Sequence, residues 1–323
     1  MRDAIDRMVG KPGFAEAIHG VFSWFHSRTV TSLVVEKIMG TDAVCRNAAL
    51  ACCYLHQWGA DDGIDDALLT KAFRPDVLEF DALAHCGKSG FARLPLEFIL
   101  TATPDDPAFF NAARCALLLG ERDVSVRALQ ACLTSQNKSL IDAAKLLCLA
   151  LPLIGLQKQL AQFEKNPEFR GLLIQAVGWN GDPAYIPWLI AQIDESDEAR
   201  LAGEAFRLVT GLDLVANQMV RNQPPPSRSA AQVYPMPDAA ELTAWWQVNQ
   251  HLYTCGTRYL LGRPPSEPWL IHILSAGEQA HRELAALHMT LSLPGKPHFP
   301  LHASAAIQLR HLNRIQGNDY ESS

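Results

Sequence analysis

The chain has 323 residues, 48% apolar and 19% charged, and 28 Lys and Arg against 34 Asp and Glu leave a formal net charge of −6. That composition supports a sizeable core and excludes global disorder, and the acidic balance argues against a general nucleic-acid binder, which carries a basic surface. The length suits two domains or one elongated array.

The opening residues, Met1-Arg2-Asp3-Ala4-Ile5-Asp6-Arg7-Met8, hold no uninterrupted apolar run, so no signal peptide is expected. Helical spacing of apolar residues is clear at Val30, Leu33, Val34 and Ile38. Gly40 closes that segment, and Thr41-Asp42 marks the next start. A first acidic cluster follows at Asp61-Asp62-Gly63-Ile64-Asp65-Asp66; it lacks the ligand order and terminal Glu of a calcium loop. Cys86-Gly87-Lys88-Ser89-Gly90 has Ala82 where a phosphate loop needs Gly, so it reads as a turn between helices.

The centre of the chain repeats. Small-residue-rich segments begin at Phe110 (FNAARCALLLG), Leu140 (LIDAAKLLCL), Phe169 (FRGLLI) and Ala199 (ARLAG), about 30 residues apart. In the first three copies a second helix is expected at Val124 to Leu133, Leu156 to Phe163 and Tyr185 to Ile193. Asp105-Asp106-Pro107 and Ser196-Asp197-Glu198 mark helix starts, while Gly120, Pro152 and Gly181 separate elements. Alanine and glycine in each first helix let neighbouring helices approach closely, and Leu, Ile and Phe fill the layer between. No stretch alternates at period two, so strands are expected to be absent or trivial.

Pro224-Pro225-Pro226 and Pro235-Met236-Pro237 interrupt the helical text. A further unit starts near Asp238, carries Trp245-Trp246, and continues with helices from about Glu267 to Ser275 and Gly277 to Leu291. The expected fold is all-α: a HEAT-like α-solenoid of antiparallel helix hairpins within residues 1–220, running from about Ala15 to Leu214. A Pro-rich connector at 221–237, a smaller helical C-terminal unit at 238–316 and a loose tail at 317–323 complete it.

Candidate chemistry is sparse. The cysteines at 45, 52, 53, 86, 115, 132, 148 and 255 form no CxxC pair, which fits reduced, buried thiols in a cytoplasmic protein. His251 with Cys255, His281 with His288, and His298 with His302 do not make a zinc motif. Neither Gly-x-Ser-x-Gly nor His-Glu-x-x-His occurs, so no catalytic residue, metal or cofactor is assigned. The longest apolar run, Leu146 to Leu156, is broken by Pro152 and Gly155 and falls short of a membrane span. The second acidic cluster, Asp194-Glu195-Ser196-Asp197-Glu198, has two readings, as does the first. Carboxylates cap helix starts and complement the helix dipole, or they form a negative rim that draws in a basic partner. On that second reading the partner-binding residues are Asp61, Asp62, Asp65, Asp66, Asp194, Glu195, Asp197 and Glu198. Trp245 and Trp246 point about 100° apart on a helix, which leaves core for both, or core for one and an interface anchor for the other.

Gly181-Asp182-Pro183-Ala184-Tyr185-Ile186-Pro187-Trp188-Leu189-Ile190 looks like a HEAT-type turn and second helix. With Arg200 to Phe206, Thr210 to Leu214, Trp245-Trp246 and Arg258-Tyr259-Leu260-Leu261-Gly262-Arg263-Pro264, it resembles a bacterial family of HEAT-repeat proteins without assigned catalytic activity. That family is encoded with type VI secretion genes, often beside large secreted toxins, and the resemblance covers roughly Phe110 to Leu291. It implies no catalytic residues and a protein-binding role, most naturally immunity to a cognate toxin such as a nuclease. An adaptor that loads an effector is the competing reading, and an enzyme with a site lacking any motif is a third. Neither direct nucleic-acid contact nor membrane contact is expected.

Overall fold

The computed structural model describes residues 28–40, 42–56, 80–81, 83–84, 89–135, 139–164, 167–193, 198–221, 234–293 and 298–316. These are predominantly helical, with two isolated bridges, Val220 to Pro237 and Leu260 to Arg263, and no strand among them. The helices are α1 (Arg28–Met39), α2 (Ala43–His56), α3 (Arg93–Thr101), α4 (Phe109–Leu118), α5 (Arg122–Cys132), α6 (Leu140–Ala150) and α7 (Leu153–Glu164). They continue with α8 (Arg170–Asn180), α9 (Ile186–Ala191), α10 (Glu198–Thr210), α11 (Ala239–Asn249), α12 (Glu267–Ala276), α13 (Gln279–Ser292) and α14 (Ala305–Ile315). The Pro224–Pro226 run and the tail at 317–323 lie outside the described residues.

Aspartate caps α2 and α11, Asp106 sets the turn that leads into α4, and Ser196-Asp197 lies outside the described residues. Asp42 Oδ1 accepts from the Cys45 amide at 2.7 Å, Asp106 Oδ1 from Ala108 at 2.8 Å, and Asp238 Oδ1 from Ala240 at 2.9 Å and Glu241 at 3.3 Å. Each carboxylate satisfies amides that have no partner within the helix. Boundaries shift where proline decides them. Pro152 stands just before α7, which therefore begins at Leu153, ahead of the first periodic leucine. The segment expected at Tyr185 to Ile193 splits into a 3₁₀ turn, Pro183–Tyr185, and a short α9; its end tightens as Gln192 and Ile193 donate three residues back, to Leu189 and Ile190.

The chain forms two compact units: residues 1–137 with 273–323, and residues 138–272. In the first, α1 packs on α2, α3 on α4, α4 on α5, and α13 returns to α4. Arg282 ties the C-terminal helices of this unit together. Its Nε donates to the Leu274 carbonyl at 2.8 Å and a terminal nitrogen bonds Gln308, whose amide donates to Leu301 and Ala303. In the second unit α6, α8 and α10 pack side by side in chain order, with α7 against α8 and α9 against α10 and α11. Successive core helices of this unit end at Ala150, Asn180 and Thr210, 30 residues apart.

Small residues set the spacing of that row. A β-carbon on Gly178 would lie 2.9 Å from both Cα and Cβ of Ala205, so the α8 and α10 backbones leave no room for a side chain there. Replacing Gly178 with Val is expected to cost about 1–3 kcal/mol through overpacking. A urea midpoint unchanged from wild type would show that the two helices do not meet in this way.

Candidate functional site

The most organised polar arrangement in the second unit lies across the C-terminal ends of α6, α8 and α10. A helix leaves its last four carbonyls without partners of its own. Here those of Cys148, Leu149, Asn180, Leu208, Val209 and Thr210 are met by one segment, Tyr253 to Trp269, called the clasp below.

Arg258 is its centre. Nε donates to the Asn180 carbonyl at 3.0 Å, Nη1 to Leu149 at 2.9 Å, and Nη2 to Cys148 at 2.8 Å and Leu151 at 2.9 Å. Cys148 needs this donor for a reason visible in the chain: four residues on stands Pro152, which has no N–H to give. A guanidinium suits the place because its planar fork reaches several acceptors at once, and its charge matches the negative end of the helix dipoles. Since Arg258 bonds the ends of both α6 and α8, these helices point their C-termini the same way.

The neighbouring residues complete the set. The Tyr259 amide donates to Gly181 at 2.8 Å, that of Gly262 to Val209 at 3.1 Å, and that of Leu261 to Leu208. The Tyr253 hydroxyl donates to Thr210 at 2.9 Å, and burial followed by the neighbouring Tyr259 raises its pKa above the usual phenol range, which keeps it a donor. Within α10 the Gly211 amide takes the Arg207 carbonyl, so all four terminal acceptors of that helix are matched. Asp182 has a double role: Oδ1 accepts from Ala184 at 3.0 Å, opening the following turn, and from Gly256 of the clasp at 2.9 Å. Gly181 is in the left-handed region at φ 76°, and a β-carbon there would sit 2.3 Å from the Tyr259 carbonyl, so this contact requires glycine.

Aromatic rings anchor the clasp to the helices. Phe206 meets Trp245 edge-on at 5.7 Å, Trp246 lies 5.4 Å from Tyr253, and Tyr253 lies 5.2 Å from Tyr259. Trp246 is buried and Trp245 half-buried, so both indoles serve internal packing. Trp269 Nε1 donates to Leu260 at 2.7 Å while the Arg263 guanidinium covers its ring.

Of the acidic residues named from sequence, Glu198 alone is described. Asp61, Asp62, Asp65, Asp66, Asp194, Glu195 and Asp197 fall outside the described residues. Glu198 opens α10, half-buried in its first turn. His251 is exposed just before the clasp and Cys255 is exposed within it, His281 and His288 are buried on α13, and His298 Nδ1 meets the Thr290 hydroxyl at 2.8 Å. Among the described residues no group of three or more His, Cys, Asp or Glu is placed to hold a metal ion. Of these residues no helix is long and apolar enough to cross a membrane.

Seven cysteines are described, all unbridged, six of them buried and Cys255 exposed. Burial pushes the thiols of Cys52 and Cys148 up to about 12 and that of Cys132 to about 11. Near pH 8 these three carry almost no reactive thiolate. Maleimide labelling of the native protein is therefore expected at Cys255 well ahead of the buried six, which react once denaturant is added; equal rates across all seven would contradict this placement.

Sequence reasoning did not find the clasp. Its one available signal was Pro152 directly after a helix, which leaves a carbonyl in need of a donor from elsewhere. The chain matches no protein-family model, no curated protein and no solved structure.

Proposed function

We propose that this is a non-catalytic cytoplasmic binding protein, a HEAT-like solenoid that neutralises a type VI secreted antibacterial toxin in the cell that makes it. One observation carries the reading. The segments on which the family resemblance rests are scattered over some eighty residues, yet they belong to one unit and meet around the clasp. Arg258 bonds Asn180, Asp182 bonds Gly256, Leu261 bonds Leu208, and Phe206 packs on Trp245. The resemblance is thus to a connected core, of the kind that lends a repeat protein a rigid surface for wrapping a protein partner.

The partner is an effector protein. Where it is a nuclease, its cationic nucleic-acid surface is a match for the acidic clusters Asp61, Asp62, Asp65, Asp66 and Asp194, Glu195, Asp197, Glu198. Co-expression with a toxin encoded beside the gene tests the reading. Restored growth is the expected result; unchanged killing together with altered export of the effector would identify an adaptor instead. With a basic toxin, charge reversal of either cluster is expected to slow association and flatten its salt dependence while the fold survives. Kinetics untouched at low salt would leave the acids as helix caps and solvated surface.

A further inference from the structure

Two costs that a folded protein normally avoids fall together at the clasp. Among the described residues, Asn180 Oδ1 is the buried side-chain atom left without a hydrogen-bond partner, on a residue 1% exposed. Such an atom forfeits its hydration with no return. Leu261 has φ 50°, a left-handed conformation that a leucine adopts only under constraint. The constraint is visible: its amide is held on Leu208 and that of Gly262 on Val209.

The clasp also has a different kind of hold from the helices it covers. From Tyr253 to Arg263 only Tyr259 and Leu260 are buried, and the rest are half-buried or exposed. Four of its amides reach out of the segment, Gly256, Tyr259, Leu261 and Gly262 donating to Asp182, Gly181, Leu208 and Val209, while those of Thr254, Thr257, Leu260 and Arg263 bond within it. By contrast α8 and α10 bury most of their length, including Ile174, Ala176, Val177, Ala202, Ala205, Phe206 and Val209. A segment held by hydrogen bonds and a few ring contacts, with only Tyr259 and Leu260 buried, belongs to the part of a protein that opens without global unfolding.

We propose that Tyr253 to Arg263 is a latch that opens and closes as one unit over the ends of α6, α8 and α10, with Arg258 as the residue that keeps it shut. Opening relieves Leu261, gives water access to Asn180, and frees a row of helix-end carbonyls carrying the negative ends of three dipoles. It also loosens the hold of Tyr253 on α11 and the turn that follows, where Val248 and Leu252 stand 69% and 61% exposed. The latch rests on the geometry of this unit alone and stands whether or not the partner is a toxin.

Native hydrogen exchange of the full chain, resolved by mass spectrometry, tests it. In the wild type, amides 256, 259, 261 and 262 should exchange together and at least ten-fold faster than the interior amides of α8 and α10. Arg258→Lys should speed the clasp amides a further ten-fold or more and the helix interiors by no more than the same factor, so that the clasp still exchanges well ahead of them. Leu261→Gly, which tolerates the left-handed conformation, should slow them. Exchange of clasp and helices at one common rate in the wild type would overturn the proposal without any variant, and so would clasp amides indifferent to Arg258→Lys.

Discussion

Replacing Arg258 with alanine lowers the stability of the unit formed by residues 138–272 by about 3–5 kcal/mol, the range for breaking a charged hydrogen-bond network that leaves acceptors behind. The guanidinium serves four main-chain carbonyls, on Cys148, Leu149, Leu151 and Asn180. Each such bond to a charged donor contributes about 1.5–3 kcal/mol taken singly, and the four are not additive because they share one side chain. Water reaches part of the site once the side chain is gone, which keeps the loss below the simple sum. Lysine at this position recovers less than half, since an ammonium presents its donors from one point and cannot span two helix ends. Five of the seven tryptophans lie in this unit, so fluorescence during urea unfolding reports it directly. Equal midpoints for Arg258→Ala and wild type would mean that the clasp adds nothing to the stability of the helices beneath it.

The second large effect is one of pH and falls in the other unit. His311 on α14 meets Phe299 edge-on at 5.3 Å, and burial, then the nearby Arg314, lowers its pKa from 6.5 to about 4. The unfolded chain therefore takes up a proton near pH 6.5 that the folded chain refuses until about pH 4. In that window the unfolded state binds more protons, so stability falls as the pH is lowered, and the fall levels off below the folded value. The shift sets an upper bound of about 3 kcal/mol on the loss. His311→Gln removes the titration and is expected to flatten the profile between pH 6.5 and 4 by up to that amount, read from denaturation midpoints by circular dichroism. A variant profile with the wild-type slope would place the imidazole in water rather than against Phe299.

Much of the architecture is written locally and was legible for that reason. Ser, Thr and Asp before apolar-periodic segments, as at Asp42, Asp106 and Asp238, act on amides two or three residues away. Alanine and glycine in the first helix of each copy predict close helix contacts, and Gly178 against Ala205 is one. The end of a helix is harder to read, because its carbonyls look for donors wherever the chain returns. Arg258 reaches back 110 residues to Cys148, and no pattern within either segment announces the other. The same applies to α4 and α13, which pack together from distant parts of the sequence. Asp182 was legible as the opening of a turn, and that role is real; its second bond, to Gly256, required the fold. The acidic clusters remain where charge and spacing leave them, with Glu198 placed in the first turn of α10, a position that suits a helix dipole and a binding rim alike.

The proposal that this protein acts by binding is tested most directly by titrating the purified full chain into an inactive form of a toxin found encoded beside its gene, followed by calorimetry. Saturable binding at a fixed ratio is expected, with complete loss of activity of the active toxin at that same ratio. A toxin that gives no binding heat and keeps full activity in the presence of excess protein would contradict it.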